Sequence, residues 1–308
     1  MTSGPEEVRV ERDGRAMTIT LDRPDDQNRL TRDVLLALQR LVDGLGADEE
    51  TQAVVVTGSG AAFFSMGILN PVVRASYTKD QILELVRMAN RLYDAIEALP
   101  QIVIAAFNGA ARAGAAELSL ACDIRLAAAH ATFALPEALW GGFPGAGGPV
   151  RLPRIVGRAR ALELICTGRE IDAAEMERLG LVLAVYPAAR LLPEARALAA
   201  RICASGPLAT RGAKRIMNVR NAAGFAASRA LADALRHALE WSQTSTKAWP
   251  PTASTGHRAS RDADGRGRQS TVTGLISRRR GRTSFEKRRM LFSDSGWVMN
   301  PERPTRLR

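Results

Sequence analysis

Two carboxylates stand among small and apolar residues in the middle of the sequence. Glu117 lies in the segment NGAARAGAAELSLACD, and Glu137 lies in FALPEALWGGFPGAGG. A carboxylate buried in such surroundings costs free energy unless it is paired or hydrogen-bonded. Small residues before Glu117 and glycines after Glu137 allow backbone to approach a ligand closely. We interpret the segment from Asn108 to Gly148 as an acid/base pair beside an anion site built from backbone N–H groups.

A structural interpretation of the same residues stays open at this point. Glu117 could be an ordinary charge on a helix surface. Glu137 could cap a helix or form an ion pair with Arg125 or Arg151. Carboxylates with a perturbed environment are frequent at functional sites, but structural ion pairs perturb them too.

The composition restricts the class of protein. The 308 residues suffice for one large domain with a core or for two small ones. Three cysteines lie far apart with no Cys-x-x-Cys spacing, which favours a reducing compartment and predicts neither a disulfide framework nor a metal site. No apolar run is long enough to span a membrane, and the N-terminus is polar and acidic, so we expect a soluble cytoplasmic protein without a membrane partner.

The net charge of +11 is concentrated in the C-terminal tail. Residues 246–308 contain 15 Lys and Arg against 5 Asp and Glu, so the rest of the chain is almost neutral. We therefore predict no nucleic-acid partner for the folded part. Residues 246–283 are rich in Ser, Thr, Gly and Arg without periodicity, which is typical of an irregular segment; an arm that binds RNA or a membrane is the alternative.

Hydrophobic periodicity predicts the elements that position the two glutamates. Strands are predicted as a hairpin over 8–22 and as single strands at 53–57, 102–107, 123–127 and 181–185. Helices are predicted from Thr31 to Gly46 and over 79–98, 114–122, 190–203, 208–220 and 225–242. Strands alternate with helices first and helices dominate last, which indicates an α/β domain with a helical C-terminal section.

Several of these segments, taken in series, resemble the enoyl-CoA hydratase/isomerase (crotonase) superfamily. They are LDRPDDQNRL, AVVVTGSG, AAFFSMGILN and the run IVIAAFNGAARAGAAELSLACDIRLAAAHATFALPEALWGGFPGAGG. The resemblance covers about residues 8–241. It implies a ββα-spiral core over 1–190, a helical trimerisation region over 191–245, and a homotrimer or hexamer, with 246–308 as a basic tail.

The resemblance also implies a reaction, the hydration of a 2-enoyl-CoA thioester to a 3-hydroxyacyl-CoA by a hydro-lyase. Glu117 matches the glutamate that activates water, and Glu137 matches the one that donates a proton to the α-carbon. The backbone N–H groups of Ile68 and Gly114 match the oxyanion hole that holds the thioester oxygen. Coenzyme A is then part of the substrate, so no separate cofactor is expected.

By the same resemblance, further residues are expected to contact the acyl group or coenzyme A. They are Asp26, Gln27, Met66, Gly67, Leu69, Ala110, Pro136, Trp140, Gly141, Phe285 and Lys287. The sequence departs from the family pattern in three places: Leu69 replaces a usual Asp, alanines flank Gly114 where glycines are usual, and Arg112 occupies an apolar position. These departures favour a non-catalytic CoA-binding paralogue as one alternative. An enoyl-CoA isomerase, which the presence of both glutamates disfavours, and an aromatic acyl-CoA hydratase-lyase, which shares the scaffold, are the others.

Overall fold

The computed structural model describes residues 7–221, 229–230, 233–234, 236–238, 241, 290–293 and 296–299. The chain divides into two units, Met1–Ala253 and Ser254–Arg308. In the second unit, strands Met290–Ser293 and Gly296–Met299 pair as an antiparallel hairpin. Phe285, Lys287 and the stretch 246–283 lie outside the described residues.

The described residues of the first unit form ten strands in two sheets. They are β1 (Val8–Asp13), β2 (Ala16–Leu21), β3 (Ala53–Gly58), β4 (Phe63–Ser65), β5 (Ile102–Phe107), β6 (Ala110–Arg112), β7 (Ile124–Ala128), β8 (Thr132–Ala134), β9 (Ile171–Asp172) and β10 (Ala184–Tyr186). The larger sheet has the order β1-β2-β3-β5-β7-β10 and is parallel except for the hairpin β1-β2. The smaller sheet has the order β4-β6-β8-β9.

The described residues of the first unit also form α-helices. The helices are α1 (Arg32–Ala47), α2 (Pro71–Arg74), α3 (Lys79–Ala98), α4 (Gly114–Ala121), α5 (Gly148–Val156), α6 (Arg158–Thr167), α7 (Ala173–Arg178), α8 (Ala188–Cys203) and α9 (Pro207–Asn221). The bounds of α1, α3, α4, α8 and α9 agree closely with the predicted ones, whereas no bounds were predicted for α2, α5, α6 and α7. The Thr31 side chain caps α1 by accepting from Val34 N, and Thr78 with Gln81 forms a capping box on α3. Of the predicted helix 225–242, residues 229–230, 233–234, 236–238 and 241 are described; all are helical except Trp241, which lies in a turn.

Strand, short strand and helix follow each other repeatedly along the chain. After β3 comes β4 and then α2 and α3; after β5 comes β6 and then α4; after β7 comes β8, a 3₁₀ turn and α5. In each of these three units the long strand belongs to the large sheet and the short strand to the small one. This ββα arrangement is the one that the resemblance implies, and it brings the ends of β4, β6 and β8 side by side.

The hairpin β1-β2 is confirmed, but its burial differs from the predicted alternation. Val10 is exposed, whereas Thr18 and Thr20 on β2 are buried. The reason is that α8 packs against β2 and covers the face on which Thr18 lies. Periodicity along one strand carries no information about a helix that arrives from far along the chain.

The predicted strand over 181–185 is displaced toward the C-terminus. The strand is Ala184–Tyr186, and it pairs in parallel with β7. Leu181 and Val182 are buried in the turn that precedes it, which explains why an apolar run marks them. Among the helices in the described part of the chain, none is long and apolar enough to cross a membrane.

Candidate active site

Glu117 lies on the first turn of α4 and is buried. Every residue of α4 is buried, which is possible because the helix consists mainly of Gly, Ala, Ser and Leu. Its Oε1 atom accepts hydrogen bonds from the backbone N–H groups of Ala146 and Gly148, both at 2.8 Å. Gly148 is the first residue of α5, so the partial positive charge of that helix terminus faces the carboxylate.

Glu137 lines the same cavity as Glu117. It lies in the 3₁₀ turn Pro136–Trp140, which follows β8 and ends at Gly141 in the left-handed conformation (φ +70°). The residue as a whole is half-buried, but its Oε2 atom is buried and has no hydrogen-bond partner among the described residues. Glu117 therefore has fixed partners for one of its oxygen atoms, whereas an oxygen atom of Glu137 is left for a ligand.

The surroundings raise the pKa of both carboxyl groups. Burial raises the pKa of Glu117 to about 7, although the N–H groups of Gly148 and Ala146 and the charge of Arg236 act in the opposite direction. Burial and then the negative charge of Glu117 raise the pKa of Glu137 to about 8. The two backbone hydrogen bonds favour the ionised form of Glu117, and the negative charge of Glu117 in turn favours the protonated form of Glu137.

Two backbone N–H groups meet beside this pair. A Cβ atom on Gly67 (φ +88°) would lie 2.9 Å from Gly114 N, and a Cβ atom on Gly114 would lie 3.4 Å from Ile68 N. In the described part of the chain neither Ile68 N nor Gly114 N donates a hydrogen bond. Only glycine fits at position 67, since a side chain there would also come within 2.6 Å of Arg112 O.

The residue before Gly114 is held in an unusual backbone conformation. Ala113 has φ +49° and ψ −129°, a region that residues with a Cβ atom rarely occupy. Its N–H donates to Ala134 O of β8, and its carbonyl accepts from Glu117 N in α4. Tyr93 of α3 is fully buried and donates its hydroxyl to Gly114 O at 2.7 Å. These contacts fix the start of α4 against the neighbouring elements.

Seven of the predicted site residues line one cavity of about 60 Å³, which is room for a few water molecules. They are Ile68, Leu69, Gly114, Glu117, Glu137, Trp140 and Gly141. The same cavity is lined by residues that the sequence did not indicate, among them Arg74, Val86, Phe143 and Arg236. The last of these belongs to the predicted helix 225–242, and no motif marked it as part of a site.

The other predicted contacts in the described residues do not line this cavity. Asp26 forms ion pairs with Arg23 at 2.9 Å and with Arg29 at 3.2 Å. The carbonyl of Gln27 accepts from Met66 N at 3.0 Å, which ties the two loops together. Gly67 makes the close backbone contact described above, Ala110 begins β6, and Pro136 begins the 3₁₀ turn. Their contacts with a substrate stay a prediction.

Arg112 and Arg125, both named in the sequence interpretation, have structural partners. Arg112 forms an ion pair with Glu170. Arg125 is buried and donates to the carbonyl groups of Ser119, Cys122 and Leu181, so it satisfies the C-terminal end of α4. Neither contact involves Glu137, so the alternative in which Glu137 pairs with Arg125 is not what the structure has.

Arg151 supports the loop that holds Glu117. Its guanidinium is buried and bonds to Asp94 at 2.6 Å and to Glu97 at 2.9 Å. It also donates to Ala146 O at 3.3 Å, and Ala146 N in turn donates to Glu117. The sequence suggested Arg151 only as a possible ion-pair partner of Glu137. The structure instead connects it through the loop to Glu117.

Comparison with known proteins assigns the chain to a family. The sequence profile of the enoyl-CoA hydratase/isomerase family matches residues 11–248. YngF of Bacillus subtilis is 42% identical over 200 residues, which cover 65% of this chain and 76% of that protein. The crotonyl-CoA hydratase of Syntrophomonas wolfei is 35% identical over 213 residues, covering 69% of this chain and 82% of that protein.

A solved structure leads to the same family. The crystal structure of an enoyl-CoA hydratase from Bacillus anthracis superposes with a TM-score of 0.68 at 35% identity, covering 74% of this chain and 90% of that one. The chain belongs to the enoyl-CoA hydratase/isomerase family. The predictions of this family, of its α/β fold and of an enzyme of the hydro-lyase class are thereby confirmed.

Proposed function

We propose that this member of the enoyl-CoA hydratase/isomerase family adds water to the double bond of a 2-enoyl-CoA, giving a 3-hydroxyacyl-CoA. One observation carries the proposal: two buried carboxylates, Glu117 and Glu137, line the same cavity as two backbone N–H groups that have no acceptor in the described chain. Addition to a conjugated thioester needs those two provisions, namely proton transfer at two atoms and stabilisation of negative charge on the thioester oxygen.

The N–H groups of Ile68 and Gly114 bind the thioester oxygen in this proposal. As water attacks the β-carbon, electron density moves through the α-carbon to that oxygen. Preorganised donors at the oxygen contribute about 3–4 kcal/mol each to the lowering of the barrier. The close fit of Gly67 against Gly114 N keeps the two donors at one place before the substrate arrives.

The two glutamates divide the proton transfers. Glu117 takes a proton from the attacking water, for which its carboxyl group must be ionised. Glu137 delivers a proton to the α-carbon, for which it must be protonated. The surroundings support this division: two backbone N–H groups stabilise the ionised form of Glu117, whereas burial and the negative charge of Glu117 raise the pKa of Glu137.

The acyl group lies against Leu69 and Trp140 in this arrangement, and coenzyme A enters as part of the substrate. Contacts of coenzyme A with Asp26 and Gln27 and with the tail residues Phe285 and Lys287 stay predictions. The same holds for the homotrimer or hexamer. Leu69 and Trp140 make the wall of the cavity apolar, which suits an acyl chain.

The test is the loss of conjugated thioester absorbance when the protein is incubated with crotonyl-CoA. We expect Glu117→Gln and Glu137→Gln each to lower kcat by roughly 10²–10⁴-fold. Glu177→Gln, which changes an exposed glutamate on α7, serves as the matched control and should leave kcat unchanged.

Two outcomes would contradict the hydratase proposal. A wild-type protein that binds coenzyme A thioesters yet hydrates no short, long or aromatic 2-enoyl-CoA would be the non-catalytic paralogue. A protein that only shifts the double bond of a 3-enoyl-CoA, and still does so with one of the two glutamates replaced, would be the isomerase.

A further inference from the structure

The direction of the Ile68 N–H group is set by a hydrogen bond on the other side of the same peptide unit. Gly67 and Ile68 are joined by a planar trans peptide bond, in which the Gly67 carbonyl and the Ile68 N–H point in opposite directions. The carbonyl oxygen of Gly67 accepts a hydrogen bond of 2.9 Å from Leu30 N. Because the unit is planar, this hydrogen bond also fixes the direction in which the Ile68 N–H points.

Leu30 belongs to loop 27–30, which makes a second hydrogen bond to the same segment. The carbonyl oxygen of Gln27 accepts from Met66 N at 3.0 Å, one residue before Gly67. The segment that carries the N–H donor is therefore bound to loop 27–30 at two points, on either side of Gly67 N. A displacement of this loop would move the donor with it.

Asn28 holds loop 27–30 in an unfavourable backbone conformation. Gln27 and Asn28 have φ values of +55° and +51°, in the left-handed region that residues with a Cβ atom occupy rarely. The side chain of Asn28 is buried, and its amide nitrogen donates to Ser59 O at 2.9 Å and to Phe63 O at 2.8 Å. Its Oδ1 atom accepts from Arg23 N at 3.0 Å. One buried amide thus connects the loop to the end of β3 and the start of β4.

We propose that Asn28 is a positioning residue for the oxyanion hole, because it holds loop 27–30 where the Ile68 N–H points at the thioester oxygen. The inference rests on the proposed function, in which the Ile68 N–H binds that oxygen. Asn28 lies outside the set of residues that line the cavity, so it acts only through the backbone hydrogen bonds of Gln27 and Leu30. A donor displaced by about 1 Å loses much of its effect on the transition state.

Gln101 provides a matched control for a substitution of Asn28. Its side chain is also buried, and its amide nitrogen also donates to two backbone carbonyl groups, those of Leu45 at 2.8 Å and Asp48 at 2.9 Å. Gln101 precedes β5, whereas β6 and the oxyanion hole follow the other end of that strand. Loss of either amide should therefore destabilise the fold, but only the loss of Asn28 should affect the position of the Ile68 N–H.

The first measurement compares the kinetics of Asn28→Ala and Gln101→Ala with crotonyl-CoA. We expect Asn28→Ala to lower kcat by roughly 10- to 100-fold and to change KM much less, since the displaced donor acts mainly in the transition state. Gln101→Ala should lower the melting temperature in the same way as Asn28→Ala and leave kcat unchanged. Equal kcat values of the two variants would overturn the inference.

The second measurement is the infrared stretching frequency of the thioester carbonyl in bound butanoyl-CoA, which is saturated and cannot be hydrated. An isotope label in the carbonyl carbon separates this band from the amide bands of the protein. In the wild type we expect a lower frequency than in free butanoyl-CoA, because the two N–H groups polarise the carbonyl. Asn28→Ala should shift the frequency back toward the free value, whereas Gln101→Ala should leave it as in the wild type.

Asn28→Gly covers the case in which Asn28→Ala does not fold. Glycine accepts φ +51° without steric cost and lacks the amide group, so we expect the same loss of kcat and the same shift of the carbonyl frequency. A folded Asn28→Gly with the kcat and the frequency of the wild type would overturn the inference.

The two measurements separate this inference from the proposed function. A wild type that hydrates crotonyl-CoA and lowers the carbonyl frequency, with the same frequency in Asn28→Ala, leaves the hydratase proposal standing and removes this one. An Asn28→Ala variant that only raises KM, at an unchanged frequency, would assign loop 27–30 to the binding of coenzyme A and overturn the inference. A frequency shift in Asn28→Ala supports the positioning role even if no enoyl-CoA is hydrated.

Discussion

The wall that carries Glu117 and the wall that carries Glu137 face one cavity but are built differently. Glu117 lies in a fully buried helix. Its Oε1 atom accepts two hydrogen bonds, each of 2.8 Å, from the backbone N–H groups of Ala146 and Gly148 at the start of α5. Glu137 sits in a 3₁₀ turn with a buried oxygen atom that no described residue contacts. The support behind the first carboxylate extends to Arg151 and the acidic residues of α3.

In the proposed mechanism, this difference gives one residue type two roles within a single site. Hydrogen bonds from N–H groups stabilise the ionised form of Glu117 and partly oppose the effect of burial. Burial and the negative charge of Glu117 favour the protonated form of Glu137, and they outweigh its backbone hydrogen bond and the charge of Arg236, which act in the opposite direction. The proposal thus distinguishes an acid from a base by what surrounds each carboxyl group, and the experiments below test that distinction.

The largest effect is expected from removing the support behind Glu117. Arg151→Met removes the most buried partner of Asp94 and of Glu97. It should lower the free energy of unfolding by about 3 kcal/mol, the low end for such pairs, because both carboxylates are partly exposed and keep Arg229 and Arg154 as partners. Activity should fall too, since the loop at Ala146 loses a contact. Urea unfolding and kcat measure the two effects.

Arg154→Met is the matched control for that prediction. Arg154 also pairs with Glu97, at 3.6 Å, but it is 31% exposed, so its loss should change the free energy of unfolding by less than about 1 kcal/mol. An equal loss in the free energy of unfolding for Arg151→Met and Arg154→Met would mean that the contact of Arg151 with the loop at Ala146 does not stabilise the fold.

A smaller effect is expected from replacing the carboxyl group of Glu137. Its pKa in the folded state is raised above the ordinary 4.5, so the folded protein binds more protons than the unfolded chain between that pH and about 8. The stability contribution of this group is therefore complete below pH 4.5 and is lost as pH rises toward 8. At pH 9, Glu137→Gln should be more stable than the wild type by about 1–3 kcal/mol, and at pH 4 the two should be similar.

The comparison with Glu117→Gln sharpens this result. Glutamine keeps an oxygen atom that can accept from Ala146 and Gly148, but the ionised form that those N–H groups stabilise is gone. We expect a smaller gain at pH 9 than for Glu137→Gln. If the free energy of unfolding depends on pH in the same way for Glu117→Gln and Glu137→Gln, the backbone hydrogen bonds to Glu117 do not distinguish the two carboxyl groups.

The smallest effect concerns the backbone at the start of α4. Ala113→Gly should raise the free energy of unfolding by about 1 kcal/mol, because φ +49° is accessible to glycine without steric cost. Ala116→Gly, two residues into the same helix, should lower it instead. Thermal unfolding of both variants measures whether each substitution stabilises or destabilises the protein. A lower melting temperature of Ala113→Gly would show that burial of the Ala113 methyl group contributes more to stability than the backbone strain costs.

Much of the scaffold follows from local patterns. The helix over 79–98 has the predicted bounds because its apolar stripe and its capping residues, Thr78 and Gln81, agree with each other. The short strands β6 and β8, in contrast, have three residues each, too few to show a period. They exist because neighbouring strands pair with them, and they are the elements that place Gly114 and Glu137.

The pattern of residue types by itself determined that Glu117 and Glu137 occupy small, apolar surroundings, and the resemblance to a family attached roles to them. Only the tertiary structure decided that Glu117 accepts hydrogen bonds from two backbone N–H groups that lie 29 and 31 residues further along the chain. It alone also placed Arg236 against the glycines at 142 and 145. Burial, charge and hydrogen bonding depend on which groups meet in space, and a one-dimensional pattern records only which groups are present.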